Sequence, residues 1–173
     1  MIIAQGGEAG GHTGDIPFSI LIPACAQICA KYQSPLLKKP VLLVAAGGVS
    51  GGRSLAAALC LGASGVWVGT RFIAAKESNA TKRAKEEVIK AGYDSVVKSL
   101  FWSGRPLRAS RNAYIDDWEK NRQDEIKDLT SRGIVPIHHE LDKLHEQGKL
   151  TDEIEEEAKL RQVWSNLIFR ELD

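Results

Sequence analysis

The chain has 173 residues, 43% hydrophobic and 26% charged, with a formal net charge of +1, enough for one domain with its own core. So small a net charge provides no global field to favour nucleic acid or an anionic membrane, and the longest apolar runs, such as 41–46, are far shorter than a membrane span. The first residues, MIIAQG, lack the basic region and long apolar core of a signal peptide.

In chain order, residues 2–5 form a short apolar run that can end a buried strand. Residues 17–32 read as a helix with Ile20, Leu21, Ala24 and Ile28 on a common side. Pro40 ends a linker, and the run 41–46 (VLLVAA) is apolar throughout, as a strand buried on both faces should be. A glycine turn at 47–52 follows, then a helix over 53–61 with Gly62 placed as its stop. Residues 65–69 form a third strand, and 79–91 a third helix stopped by Gly92. Alternating strands and helices predict a parallel sheet with crossover helices. Further on, 95–102 reads as a strand or an extended arm, and 114–129, 138–147 and 152–172 as helices, with loops at 131–136 and 148–151.

Composition divides the chain. Twelve of the 16 glycines lie between Gly6 and Gly69, whereas 28 of the 69 residues from Arg105 onward are charged. The expected organisation is therefore a ligand-binding α/β part over 1–104 and a solvated helical part over 105–173. The three cysteines, Cys25, Cys29 and Cys60, are odd in number and contain no C-x-x-C pair. They read as reduced thiols of a cytoplasmic or organellar-matrix protein, and they offer too few ligands for a metal site.

Three segments carry chemistry, each at the C-terminal end of a predicted strand, where parallel α/β folds bind ligands. The first, QGGEAGGHTG from Gln5 to Gly14, has five glycines in ten residues. Glycine lets backbone approach a ligand closely, and His12 in such a loop can act as acid, base or anion partner. Glu8 is the only carboxylate of this motif and is not the expected base. The second, AAGGVSGGR from Ala45 to Arg53, runs from a buried strand through a glycine turn into a helix. Free amides at a helix start suit an anion, although the Gly-Lys-Ser/Thr ending of a P-loop is absent. The third, GASGVWVGTRF from Gly62 to Phe72, ends its strand at Gly69 and Thr70. Consecutive parallel strands lie side by side, so Gly47-Gly48 and Gly69-Thr70 should face one small volume, as the last two loops of a (β/α)₈ barrel face a phosphate. His138, His139 and His145 lie on charged segments and read as surface residues. Trp102, Trp118 and Trp164 read as packing residues.

These three motifs, with the Glu77-Ser78 that follows, resemble the nitronate monooxygenases, formerly called 2-nitropropane dioxygenases. The likeness is specific from about Ile2 to Ser78 and looser through Trp102–Pro106 and 112–118. Flavin-dependent enoyl-acyl-carrier-protein reductases share the motifs. The resemblance implies a (β/α)₈ TIM barrel holding FMN without a covalent bond. It implies that Gln5 touches the flavin ring system, Gly10 and Gly11 line its face, and His12 is the active-site histidine. Gly47, Gly48, Gly69 and Thr70 would hold the FMN phosphate. The implied reaction is oxidation of a nitronate, or a nitroalkane, with O₂ to a carbonyl compound and nitrite. The competing readings are the reductase activity and a non-catalytic remnant that binds FMN or phosphate. No metal, nucleic-acid or membrane partner is implied.

A complete barrel takes at least about 200 residues. Only three to four βα units are readable here, corresponding to the C-terminal part of the barrel, with a helical tail expected to pack on it. The chain is therefore expected to be a shortened form, inactive or weak in FMN binding alone, that self-associates through open strand edges.

Overall fold

A computed structural model of the chain describes residues 1–151. The chain divides into two compact units, Met1–Ile89 and Lys90–Asp173. The helix expected over 152–172 and Trp164 lie outside the described residues.

The first unit is α/β. Strand β1 (Ile2–Gln5) is followed by the two-residue β2 (Gly11–His12), helix α1 (Phe18–Cys29), β3 (Leu43–Ala46), α2 (Gly52–Cys60), β4 (Gly65–Trp67), the one-turn α3 (Thr70–Ile73) and α4 (Lys82–Lys90). Strands β1, β3 and β4 form a parallel sheet in that order. Gln5 lies opposite Ala46, and Ala46 opposite Trp67, so the three strands end level at one edge. The core contains Ala4, Ile22, Cys29, Leu43, Ala45, Ala58 and Ala63. β3 is the central strand, and Leu43 and Ala45 are 1% and 0% exposed, as its continuous apolar sequence requires.

Helix α1 buries a different face from the one expected. Ile22 and Cys29 are buried, with Phe18, Leu21, Cys25 and Ala26 packed around them, whereas Ile20 and Ile28 are exposed. The helix FSILIPACAQIC is apolar on nearly every side, so several stripes fit its sequence equally well. Pro23 sits inside it, where a missing N–H is tolerated at the cost of one helical hydrogen bond. At the end of α2, the N–H of Gly62 donates to the Leu59 carbonyl and that of Ala63 to the Ala58 carbonyl, both at 3.0 Å. With Gly62 at φ +96°, this is a Schellman close. A Cβ on Gly62 would stand 2.8 Å from the Cβ of Ala26, so the stop also sets how closely α2 approaches α1.

In the second unit, β5 (Val96–Ser99) and β6 (Leu107–Ser110) pair antiparallel, and helices α5 (Ala113–Asn121), α6 (Gln123–Ser131) and α7 (Pro136–Glu146) follow. Its core holds Phe101, Trp102, Leu107, Ala109, Ile115, Trp118, Ile126 and Ile137. Phe101 packs edge-on to Trp102 at 4.9 Å between ring centroids and tilted against Trp118 at 4.6 Å. The single helix expected over 114–129 is two helices broken at Arg122, whose φ of −125° leaves the helical region. The break places the Arg122 guanidinium 3.3 Å from the centroid of the Trp118 ring. Arg122 also donates to both carboxylate oxygens of Glu125, at 2.8 and 2.9 Å, and both of Glu140, at 3.2 and 3.1 Å. Bidentate pairing to two carboxylates stabilises the charged guanidinium, so its proton is held more tightly than usual. The hydrogen bond from Arg122 lowers the Glu125 pKa, against an opposing effect of burial.

Candidate functional site

The three motif loops emerge from the level edge of the parallel sheet. The first is tied to itself and to the strand beneath. Gly6 N–H donates to the Ala46 carbonyl at 2.9 Å, and Gly7 N–H to the Ile16 carbonyl at 2.8 Å. The Gly6 carbonyl accepts from Ala9 N–H at 3.2 Å and from the Thr13 hydroxyl at 3.1 Å. The Gln5 side-chain amide donates to the backbone carbonyl of His12, so Gln5 fixes the position of the histidine backbone. Gly11 is buried with φ +74°, and His12 is half-buried.

Gly47 and Gly48, with φ +89° and +70°, turn the chain out of β3. Both conformations are ones that side-chain-bearing residues rarely adopt. A Cβ on Gly47 would lie 2.7 Å from the Gly6 carbonyl oxygen and 3.3 Å from the Cβ of Ala9. One on Gly48 would lie 3.1 Å from the Cβ of Glu8, and one on Gly10 would lie 2.7 Å from the Thr70 hydroxyl oxygen. Residues 6–10 therefore stand against the Gly47-Gly48 turn on one side and Thr70 on the other. Gln5, Gly10, Gly11 and His12 share one loop system, and the structure gathers it with Gly47, Gly48, Gly69 and Thr70 at one sheet edge.

Not every amide of the second turn can serve a ligand. The Ser54 hydroxyl accepts from Ser50 N–H at 3.0 Å and from Gly51 N–H at 3.1 Å, and donates to the Gly51 carbonyl at 2.9 Å. Those two donors are used in capping α2, which leaves the glycine pair ahead of them to face a ligand. Gly48, Gly69 and Thr70 are exposed, and nothing stands within 4 Å of a Cβ placed on Gly69. Gly69 caps α3, so Thr70 begins a helical turn whose first N–H groups have no partner within the helix. Exposed amides at two turn ends, a hydroxyl and no side-chain bulk make a cradle that fits a phosphate group.

Two contributors escaped the sequence reading. Ser54 stands at the third position of α2 behind a glycine cap, a weak form of the capping-box pattern. Glu8 receives the Phe18 N–H at 3.1 and 3.0 Å on its two carboxylate oxygens and so caps α1. A carboxylate ten residues before a helix start gives no sequence signal for that contact. Trp102 and Trp118 are packing residues, 2% and 0% exposed. Among the described residues, no three His, Cys, Asp or Glu side chains cluster to hold a metal ion, and no helix is long and apolar enough to cross a membrane.

Known proteins resemble the chain in sequence and in fold. The chain is 32% identical over 147 residues to a probable nitronate monooxygenase of Staphylococcus aureus, a match covering 81% of this chain and 38% of that protein. It is 38% identical over 118 residues to a (3aS,4S,5R,7aS)-5-hydroxy-7a-methyl-1-oxo-octahydro-1H-indene-4-carboxyl-CoA dehydrogenase of Mycobacterium tuberculosis, covering 68% of this chain and 31% of that one. Among solved structures, FabK from Thermotoga maritima superposes with a TM-score of 0.58 at 31% identity, covering 73% of this chain and 39% of FabK. The chain thus spans about a third of the length of the curated relatives it matches. The nitronate monooxygenase family model matches residues 1–162, and the chain belongs to that family.

Proposed function

We propose that the chain is the phosphate-gripping, C-terminal part of an FMN-dependent (β/α)₈ barrel that oxidises alkyl nitronates with O₂ to carbonyl compounds and nitrite. The observation that carries this reading is the wedge of residues 6–10 between the Gly47-Gly48 turn and Thr70. It brings the histidine loop and both glycine turns to one sheet edge. The backbone N–H groups of Gly48, Gly69 and Thr70, with the Thr70 hydroxyl, would donate to the FMN phosphate. Gly10 and Gly11 would line the flat face of the ring, and Gln5, bonded to the His12 backbone, would lie against its edge. FMN held there would supply the redox chemistry of the reaction with O₂. His12 either orients the anionic nitro group or removes the α-proton of a neutral nitroalkane.

The test is to express the 173-residue chain, record its absorbance for bound flavin, and follow O₂ consumption with propionate-3-nitronate and 2-nitropropane. A yellow protein that consumes O₂ supports the reading, and a folded, colourless chain sinks it for the 173-residue chain by itself. His12→Asn should keep the flavin and lose turnover; unchanged turnover removes His12 from the chemistry. A second reading is a dehydrogenase or reductase acting on an acyl thioester, favoured by the 38% identity to the CoA-ester dehydrogenase. NADH oxidation driven by an enoyl thioester, without nitronate turnover, would select it.

A further inference from the structure

We infer that Glu8 is the positioning residue of this site, a latch that fixes the wedge 6–10 against the two glycine turns by anchoring it to the start of α1. This inference rests on the proposed phosphate site for its ligand, but not for its geometry. Helix α1 begins after Pro17, which makes no side-chain cap and has no acceptor side chain to offer. The Glu8 carboxylate takes over that task, with both oxygens on Phe18 N–H. A carboxylate is favoured there by the positive end of the helix dipole. The same side chain occupies space that explains two glycines. A Cβ on Gly6 would fall 2.7 Å from the Glu8 Oε2, and one on Gly48 would fall 3.1 Å from its Cβ.

One side chain therefore touches the helix start, the strand exit and the phosphate turn. Ala9 follows it, buried at 5% exposure and held by its N–H to the Gly6 carbonyl. Gly10 then meets Thr70. If the Glu8 carboxylate leaves Phe18, residues 8–10 lose their anchor, although the strands and α1 retain their own bonds. The carboxylate points to the helix start, so it acts through the loop and not on a substrate.

The experiment compares wild type, Glu8→Gln and Glu8→Ala, with Asn112→Ala as the control; Asn112 caps α5 in the other unit, its side-chain oxygen accepting from Tyr114 N–H at 2.9 Å and Ile115 N–H at 3.0 Å. Two readouts are taken, the dissociation constant for FMN and amide hydrogen exchange at Gly7 and Ala9. Glutamine keeps an oxygen for Phe18 N–H, so Glu8→Gln should bind FMN within about threefold of wild type, the loss expected for less than one neutral hydrogen bond. Glu8→Ala should weaken FMN at least about tenfold, with exchange at Gly7 and Ala9 faster by a similar factor. Asn112→Ala should move neither. Equal FMN affinity in Glu8→Ala and wild type would overturn the latch. If wild type binds no FMN, the phosphate reading fails and hydrogen exchange alone judges Glu8: unchanged exchange in Glu8→Ala refutes the latch, and rescue by Glu8→Gln supports it.

Discussion

Replacing Gly47 with alanine tests the packing of the first loop on the second. Gly47 holds φ at +89°, a conformation that costs an L-residue about 1–2 kcal/mol. Its new Cβ would stand 2.7 Å from the Gly6 carbonyl oxygen and 3.1 Å from the Gly6 nitrogen. Both are backbone atoms, and Gly6 is itself tied to Ala46 at 2.9 Å, so the clash cannot be relieved by a side-chain rotation. Overpacking of this kind costs about 1–3 kcal/mol more. The expected total is about 2–5 kcal/mol, a large part of the stability of a small domain. Gly48→Ala carries the same conformational cost, but its close contact is one side-chain atom, the Cβ of Glu8 at 3.1 Å, in place of two backbone atoms. Its loss should stay near about 1–2 kcal/mol. Gly52→Ala is the control: the residue lies in the first turn of α2 with no neighbouring atom within 4 Å, so alanine should stabilise by about 0.5–1 kcal/mol. Urea unfolding followed by circular dichroism, with slopes compared to confirm a common transition, ranks the three. The reasoning is refuted if Gly47→Ala unfolds at the wild-type midpoint, or if Gly48→Ala is the more damaging of the pair.

Three further expectations concern other parts of the chain. Arg122→Met leaves the mostly buried Glu140 carboxylate, 13% exposed, without its partner and should cost about 2–3 kcal/mol, below the range for a fully buried pair because Arg122 is partly exposed; denaturant unfolding of the second unit measures it. The lowered pKa of Glu125 stabilises the folded state above the ordinary glutamate range, and this contribution is lost as pH falls through the depressed value. Wild type should therefore lose more stability than Glu125→Gln over that acid window, and parallel pH profiles would contradict the Arg122 pairing. Thr70→Ala should weaken FMN binding by about fivefold, the worth of one hydrogen bond of roughly 1 kcal/mol, while Thr70→Ser should retain it; fluorescence titration of FMN reads both.

Much of the first unit was legible in the sequence because its signals are local. The apolar run ahead of Gly47 reads as a buried strand, and its part from Leu43 to Ala46 is one, although Leu42 is exposed; Gly62 marks the helix stop that its positive φ confirms. The shared sheet edge followed from strand order alone, since Ala46 pairs with both Gln5 and Trp67. Other features depend on tertiary contacts that sequence spacing does not encode. The face of α1 was ambiguous because apolar residues surround it. The break at Arg122 comes where two carboxylates and an indole ring gather on one guanidinium, and Glu140 is 18 residues away in the chain. Strand β6 is only four residues long, with Leu107 and Ala109 inward and Arg108 and Ser110 less buried, too short an alternation to stand out. The one-turn α3 is likewise below the length at which a helical period can be read.

The glycines of the first loop have a consequence for recognition. Gly6, Gly7 and Gly10, with Gly47 of the facing turn, each have atoms within 3.2 Å of the place a Cβ would occupy, so these positions are glycine through crowding. Chain entropy at these positions is surrendered when the protein folds. A ligand arriving at the turns would meet donors already fixed in place, and its affinity would not be reduced by the ordering of a loop. Such a site should bind with little change in heat capacity beyond the apolar surface it covers, behaving as a rigid mould despite a composition that suggests a flexible one.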